Sequence, residues 1–451
     1  MTAKKEKING ITEGVIWKQI LIFFFPILFG TFFQQLYNAA DAVIVGRFVG
    51  KEALSAVGGS TGTVINLLVG FFTGLSSGAT VVISQHYGAK QKEKVSSAVH
   101  TAIAFSLLGG VVLMVVGFFG APMVLKWMRT PVDIMDSAVM YIRIYFLGII
   151  GNLIYNIGAG ILRAVGDSKR PLYFLIAACM TNIVLDILFV VGFKMGVSGA
   201  ALATILSQAM SAVLVIIILM RTDDMYRFVP KLLKLEKQML LKIVQIGFPA
   251  GLQSVMYSLS NIIIQSSINS LGTDTVAAWT AYGKVDSMFW MIISAFGISI
   301  TTFVGQNFGA GKTDRIRKGV TQCMLMAAVT TISLSLILYY FGVYCLQLFT
   351  VDAAVIEIGI RILHFLVPFY ITYITIEILS GALRGVGDCW IPTLICLMGV
   401  CVLRAIWNMV VVPLFPNVRM VAASYPITWV ITSIAFAVYY FKFSSMRKKD
   451  N

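Results

Sequence analysis

The chain has 451 residues, of which 58% are hydrophobic and only 12% charged, with a formal net charge of +15. A soluble domain carries roughly 25% charged residues, so a water-soluble globular fold is excluded. A nucleic-acid surface is not needed to explain the basic balance, because the positive residues follow membrane topology, as set out below.

The apolar residues come in long uncharged runs, such as Ala327 to Phe349. A run of roughly 18 or more reads as a membrane-spanning helix. The expected fold class is an all-α polytopic membrane protein with twelve transmembrane helices, centred at about residues 31, 71, 108, 147, 180, 207, 255, 293, 332, 367, 401 and 430. The first span runs from near Trp17 past Asp41. It is too long for a signal-peptide core and lacks a small-residue cleavage site, so it reads as an uncleaved span.

Polar groups at membrane depth mark ion or substrate paths. In the first span Gln34, Tyr37 and Asp41 are spaced by three and four and share a face, with Asn38 beside it. Pro26 lies earlier in the same helix, where it removes a backbone hydrogen bond and makes a candidate hinge. Asn156 lies in span 4. Span 5 reads "TNIVLDILF", with Asn182 and Asp186 four apart on one face, and Thr204 comes early in span 6. A carboxylate, an amide oxygen and a hydroxyl are hard oxygen ligands that suit Na⁺ or can share a proton. Two carboxylates close together in low dielectric resist ionising together, so such a site can exchange a proton for a cation. In the second half of the chain Asn261 and Gln265 on span 7 are cavity candidates. Glu377 in span 10 and Arg404 in span 11 either pair with each other or meet a substrate. Asp286 and Glu357 sit nearer span ends.

The six cysteines form no metal-ligand CxxC pair and read as small apolar filler. With only three histidines, no transition-metal site is expected. Lys and Arg crowd the amino terminus, the even loops and the carboxyl terminus. The odd loops hold only Arg47, Lys51, Lys126, Arg129, Lys194 and Arg419. By the positive-inside rule both termini are expected in the cytoplasm.

The chain repeats itself. "GILRAVGDSKRP" at 160–171 returns as "GALRGVGDCWIP" at 381–392, and "ISQHYGAKQ" at 83–91 returns as "VGQNFGAGK" at 304–312. The pair "FP" at 25 recurs at 248, and all offsets fall between 221 and 223. Two six-helix lobes, 1–220 and 243–451, are therefore expected, joined by a charged linker at 221–242. Six is even, so the lobes enter the membrane in the same orientation. Parallel repeats of this kind are a transporter architecture, with the substrate expected between the halves near mid-membrane. In the repeated sentence Gly permits a tight turn, Pro suits the first turn of the next helix, and Arg163 and Arg384 close helix carboxyl ends. A gating role for these corners is the alternative to a structural one. The alignment sets Glu377 opposite Asn156, Arg404 opposite Asn182 and Asn408 opposite Asp186.

With "QLYNAADAVIVGRFVG", "QHYGA", "GILRAVGDSKRP", "TNIVLDILF", "GVSGAALAT", "QNFGAG" and "GALRGVGD" in this order, nearly the whole chain resembles the multidrug and toxic compound extrusion (MATE) family. The resemblance implies an alternating-access antiporter, not an enzyme. It would expel amphipathic, often cationic organic compounds across the plasma membrane, driven by inward Na⁺ or H⁺, without a bound cofactor. Asp41, Asn182, Asp186 and Thr204 match the branch whose cation site lies in the amino-terminal lobe. A second branch uses carboxylates in spans 7 and 10; Glu377 is present here, but span 7 has no acid at its middle. A monomer is expected, in contact with lipid and with small substrates and not with nucleic acid. The alternatives are a flippase for a lipid-linked precursor on a related fold, a membrane enzyme, for which no motif speaks, and a passive channel.

Overall fold

The computed structural model describes residues 10–442, and among these every element is helical. After a short helix at Gly10–Glu13 come α1 (Ile16–Phe48), α2 (Lys51–Gly88), α3 (Lys92–Trp127), α4 (Val132–Leu147 with Ile149–Ala164), α5 (Lys169–Gly192) and α6 (Gly196–Arg221). The second set is α7 (Lys237–Asn269), α8 (Thr273–Gly309), α9 (Thr313–Gln347), α10 (Ala353–Val386), α11 (Trp390–Leu414) and α12 (Val418–Lys442). Eleven of these are long and apolar enough to cross a membrane singly, and α4 makes the twelfth as a pair bent by 48°. The chain is thus a multi-pass all-α membrane protein. The bend in α4 falls at Gly148, where an added Cβ would collide with the Ile205 side chain on α6. Only a glycine lets the two helices approach there.

The repeated sentence builds the same corner twice. Gly166 and Gly387 both take positive φ, +95° and +93°. In each corner the glycine N–H donates to the arginine carbonyl three residues back, Arg163 or Arg384, at 2.9 Å. The following aspartate N–H donates to Leu162 at 2.9 Å or Leu383 at 3.0 Å. This paired closure satisfies the orphan carbonyls at a helix end and requires a left-handed residue, which glycine adopts without strain. The second repeated motif makes the same closure at the ends of α2 and α8. There Gly311 takes φ +71° without strain, while its counterpart Lys90 is forced to φ +55°.

The described chain forms two compact units. One is Phe25–Gly251. The other takes the chain up to Phe24 and the chain from Leu252 on. The dividing points fall inside α1 and α7, next to Pro26 and Pro249, and not in the 221–242 loop. The opening stretch of each repeat's leading helix, the shorter one in α1, therefore belongs with the other repeat's helices.

In the Phe25–Gly251 unit this half-helix packs backbone to backbone on α2. Gly74 and Gly78 face Gly247 and Gly251, so that a Cβ on Gly78 would lie 2.6 Å from the Gly247 nitrogen and one on Gly251 2.7 Å from the Phe71 carbonyl oxygen. Small residues four apart are the usual means of close helix contact in a membrane. The other unit makes the corresponding contact with rings, Phe24 stacking on Phe296 of α8 at 4.1 Å.

Each unit also clasps the segment that precedes its borrowed half-helix. Before α7, Tyr226 and Phe228 are buried in an apolar cluster with Val95 and Val99 of α3. The His100 ring bonds the backbone of Val229, and Ser97 donates to Glu236. Before α1, Arg315 donates to the carbonyls of Ile11 and Gly14, Lys312 to that of Thr12 at 2.9 Å, and Asn307 to that of Ile11 at 3.3 Å.

Candidate functional site

Four polar side chains converge inside the Phe25–Gly251 unit, contributed by three helices. Asp41 comes from α1, Asn182 and Asp186 from α5, and Thr204 from α6. Their exposures are 8%, 0%, 0% and 3%. Thr204 Oγ1 donates to the carbonyl of Ala200 at 2.9 Å, one turn back, and reaches Asp41 Oδ2 at 3.4 Å. The backbone bond orients the hydroxyl so that its oxygen faces the carboxylate. Asp41, Asp186 and Asn182 lie close enough for their side chains to act on one another. Asp41 Oδ1, both Asp186 oxygens and both polar atoms of Asn182 nevertheless have no hydrogen-bond partner among the described residues.

Buried polar atoms in native proteins are almost always paired, and each exception asks for an explanation. Here the exceptions cluster: two carboxylates and one amide, beside the Thr204 hydroxyl. Orphaned oxygens of this kind fit a small hard cation or a shared proton. A lone buried carboxylate would be heavily penalised, and two facing one another more so. A bound cation or proton removes that penalty.

Local structure explains why α5 can present its pair. Asp186 is the last α-helical residue before a π-helical turn, Ile187–Gly192, which shifts the helix register where the site ends. Such turns recur at functional positions. Tyr37 on α1 and Tyr141 on α4 lie near Thr204 and Asp41. Sequence reasoning found Tyr37 by helix spacing and missed Tyr141, because nothing in span 4 ties a tyrosine to residues 100 positions away.

The remaining candidates lie elsewhere. Gln34 and Asn38 are exposed faces of α1. Asn156 donates to the carbonyl and side-chain oxygens of Asn152, both at 2.9 Å, and borders a small pocket with Ser76 and Ser106. Asn261 is exposed, and Gln265, also exposed, donates to Asn269 at 2.8 Å. Pro26 is buried within the continuous helix α1.

Glu377 and Arg404 form no ion pair with one another among the described residues. Glu377 packs on Gly297, where a Cβ would lie 2.9 Å from its carboxyl carbon. Arg404 lies 4.0 Å over the Tyr425 ring and donates to Thr428 at 3.0 Å. The acid that bears on Arg404 is Asp286, which accepts from Trp290 at 2.6 Å and from Tyr370. Asp286 looked like a span-end residue in the sequence. Its signal was Trp290, four residues on and one helical turn away.

The family model MatE matches residues 26–188 and again 249–410, one match per repeat. Over 445 residues the chain is 29% identical to the probable multidrug resistance protein YoeA of Bacillus subtilis, covering 97% of this chain and 93% of that one. It is 26% identical to the probable multidrug resistance protein NorM of Thermotoga maritima, covering 84% and 82%. Among solved structures, the outward-facing conformation of a multidrug resistance MATE family transporter of the MOP superfamily superposes with a TM-score of 0.90. It is 22% identical, covering 97% of this chain and 98% of that one. A MOP superfamily transporter from Pyrococcus furiosus, with a binding pocket of reverse polarity, superposes with a TM-score of 0.89 at 22% identity over the same shares.

Proposed function

Since the chain belongs to the MatE family, the MATE transporters, we propose that it is a cation-coupled antiporter that exports amphipathic, often cationic organic compounds by alternating access. The observation that carries this reading is the convergence of Asp41, Asn182, Asp186 and Thr204 with five buried polar atoms that have no hydrogen-bond partner among the described residues. The names of its relatives, multidrug resistance and multidrug export proteins, support the substrate class.

The coupling ion, Na⁺ or H⁺, enters as a transported substrate. It is held by the Asp41 and Asp186 carboxylates, with the Asn182 and Thr204 oxygens completing the set. An ion drives a conformational equilibrium only by binding its two states unequally. Pro26, in the helix that carries Asp41, removes a backbone bond and lets α1 bend when the charge at Asp41 changes. The distribution of Lys and Arg supports a plasma-membrane protein with both termini in the cytoplasm, and the reading needs only a monomer.

Transport of a fluorescent organic cation into proteoliposomes tests this reading, with either a Na⁺ or a proton gradient imposed. Wild-type protein is expected to respond to one of the gradients, and Asp41→Asn to neither while still inserting. Full gradient-driven transport by Asp41→Asn would sink the assignment. Flux that ignores both gradients would favour a channel.

A further inference from the structure

The second repeat carries different groups at the positions that build the cation site in the first. The offset of 222 that aligns α5 with α11 sets Arg404 in the place of Asn182 and Asn408 in that of Asp186. The offset of 223 that joins Pro26 to Pro249 sets Ile264 in the place of Asp41. Ile264 is buried in an apolar cluster with Ile268, Val412 and Val421. Both carboxylates are therefore gone, and a guanidinium replaces the amide.

Arg404 is 3% exposed. Its charge sits over the Tyr425 ring and its Nη2 donates to Thr428 on α12. Thr428 in turn donates to the carbonyls of Ser424 and Tyr425 at 2.7 and 3.0 Å, which leaves its oxygen facing the guanidinium. The Nε of Arg404 and the Oδ1 of Asn408 have no hydrogen-bond partner among the described residues. No carboxylate among the described residues comes within ion-pair distance of Arg404. The π-helical turn Leu397–Val402 ends two residues before it, whereas the turn in α5 follows Asp186.

A buried arginine without a contacting carboxylate is a poor way to join helices, because an apolar residue of similar volume costs less desolvation. What surrounds Arg404 instead is an environment made for a cation: an aromatic face, a hydroxyl oxygen, and the field of Asp286 at longer range.

We propose that Arg404 is a tethered cation that fills, in the second repeat, the place the exchangeable cation takes in the first. Ion exchange is then confined to the Phe25–Gly251 unit, and the other unit carries a permanent charge that no gradient can remove. The inference rests on the assignment of the exchangeable ion to Asp41 and Asp186.

The test restores the α5-like half of the lost site, leaving Ile264 in place. Arg404→Asn together with Asn408→Asp removes the tether and restores a carboxylate. Binding of radiolabelled Na⁺ and the number of protons held at neutral pH are measured on purified full-length protein. The rebuilt chain is expected to hold one cation more than its parent, as Na⁺ or as a proton, and to keep that increment in an Asp41→Asn background. Asn408→Asp alone is expected to add none, because Arg404 neutralises the new carboxylate in place. No increment in the folded rebuilt chain overturns the proposal. So does an increment that disappears with Asp41→Asn, or an equal increment in Asn408→Asp alone. Parental binding that survives Asp41→Asn would count against the first-site assignment instead, and the increment would still be read separately.

If the rebuilt chain does not fold, Arg404→Ala is melted in methylguanidinium chloride and in equimolar NaCl. Selective stabilisation by methylguanidinium, absent in wild type, is expected. Equal response to the two salts overturns the proposal.

Discussion

Thr204 and Asp41 meet at 3.4 Å although 163 positions separate them in the chain. The hydroxyl's stronger bond is to its own helix, at 2.9 Å to Ala200, so the contact with Asp41 is long and easily exchanged for another partner.

Replacing Thr204 separates its oxygen from its shape. Thr204→Val keeps the volume and removes the ligand, whereas Thr204→Ser keeps the ligand. Thr204→Val is expected to weaken the apparent affinity for the coupling ion roughly tenfold, equivalent to about 1.4 kcal/mol, the scale of one hydrogen bond to a charged group. Thr204→Ser is expected to retain most of it. The dependence of transport rate on ion concentration decides; equal behaviour of the two variants would remove Thr204 from the site.

The glycine contact between α2 and α7 has no room for a methyl group. Gly78→Ala forces a Cβ against the Ile243 carbonyl and the Gly247 backbone. A loss of about 1–3 kcal/mol in stability is expected, the usual cost of overpacking. Gly58→Ala, at a position with open space around it, serves as the control. Thermal unfolding in detergent should separate the two, and a Gly78→Ala midpoint equal to wild type would refute the close approach.

Lys90 occupies a left-handed conformation that its counterpart Gly311 adopts freely. Lys90→Gly should therefore be tolerated or stabilising by up to about 1 kcal/mol, while Gly311→Val should destabilise. A fall in the unfolding midpoint for Lys90→Gly would mean that the lysine side chain contributes more than its backbone costs.

Arg315 is the chief anchor of the segment before α1, through the carbonyls of Ile11 and Gly14. Arg315→Ala is expected to speed protease cleavage between Gly10 and Val15 several-fold, about 1 kcal/mol of local opening, without changing cleavage of the 221–242 loop. Unchanged cleavage would show that Lys312 and Asn307 suffice.

Much of this was readable in the sequence because membranes impose simple rules. Long apolar runs located the spans, and the repeated "LRAVGD" and "LRGVGD" strings located the corners, since a glycine at positive φ leaves a trace in composition. Asp41, Asn182, Asp186 and Thr204 stood out because polar residues at such depth are rare. Burial faces were not readable, since lipid and protein core select the same side chains. That is why Tyr141 and the Asp286 cluster escaped notice, and why Glu377 and Arg404 invited a pairing that the structure does not make. The exchange of half-helices between the units was invisible too: contact partners leave no periodicity in a helix that is apolar all round.

That exchange sets an order on synthesis. As the chain emerges, α1 to α6 are complete before the stretch from Lys237 to Gly251 exists, so the bare surface of Gly74 and Gly78 must wait in the bilayer for it. The stretch before Phe24 waits longer still, because Phe296 and Arg315 are made only after more than half of the protein. Neither repeat can reach its final form as a separate product. A gene cut at the linker should yield two fragments that are each unfinished, and that mature only when both are present in the same membrane.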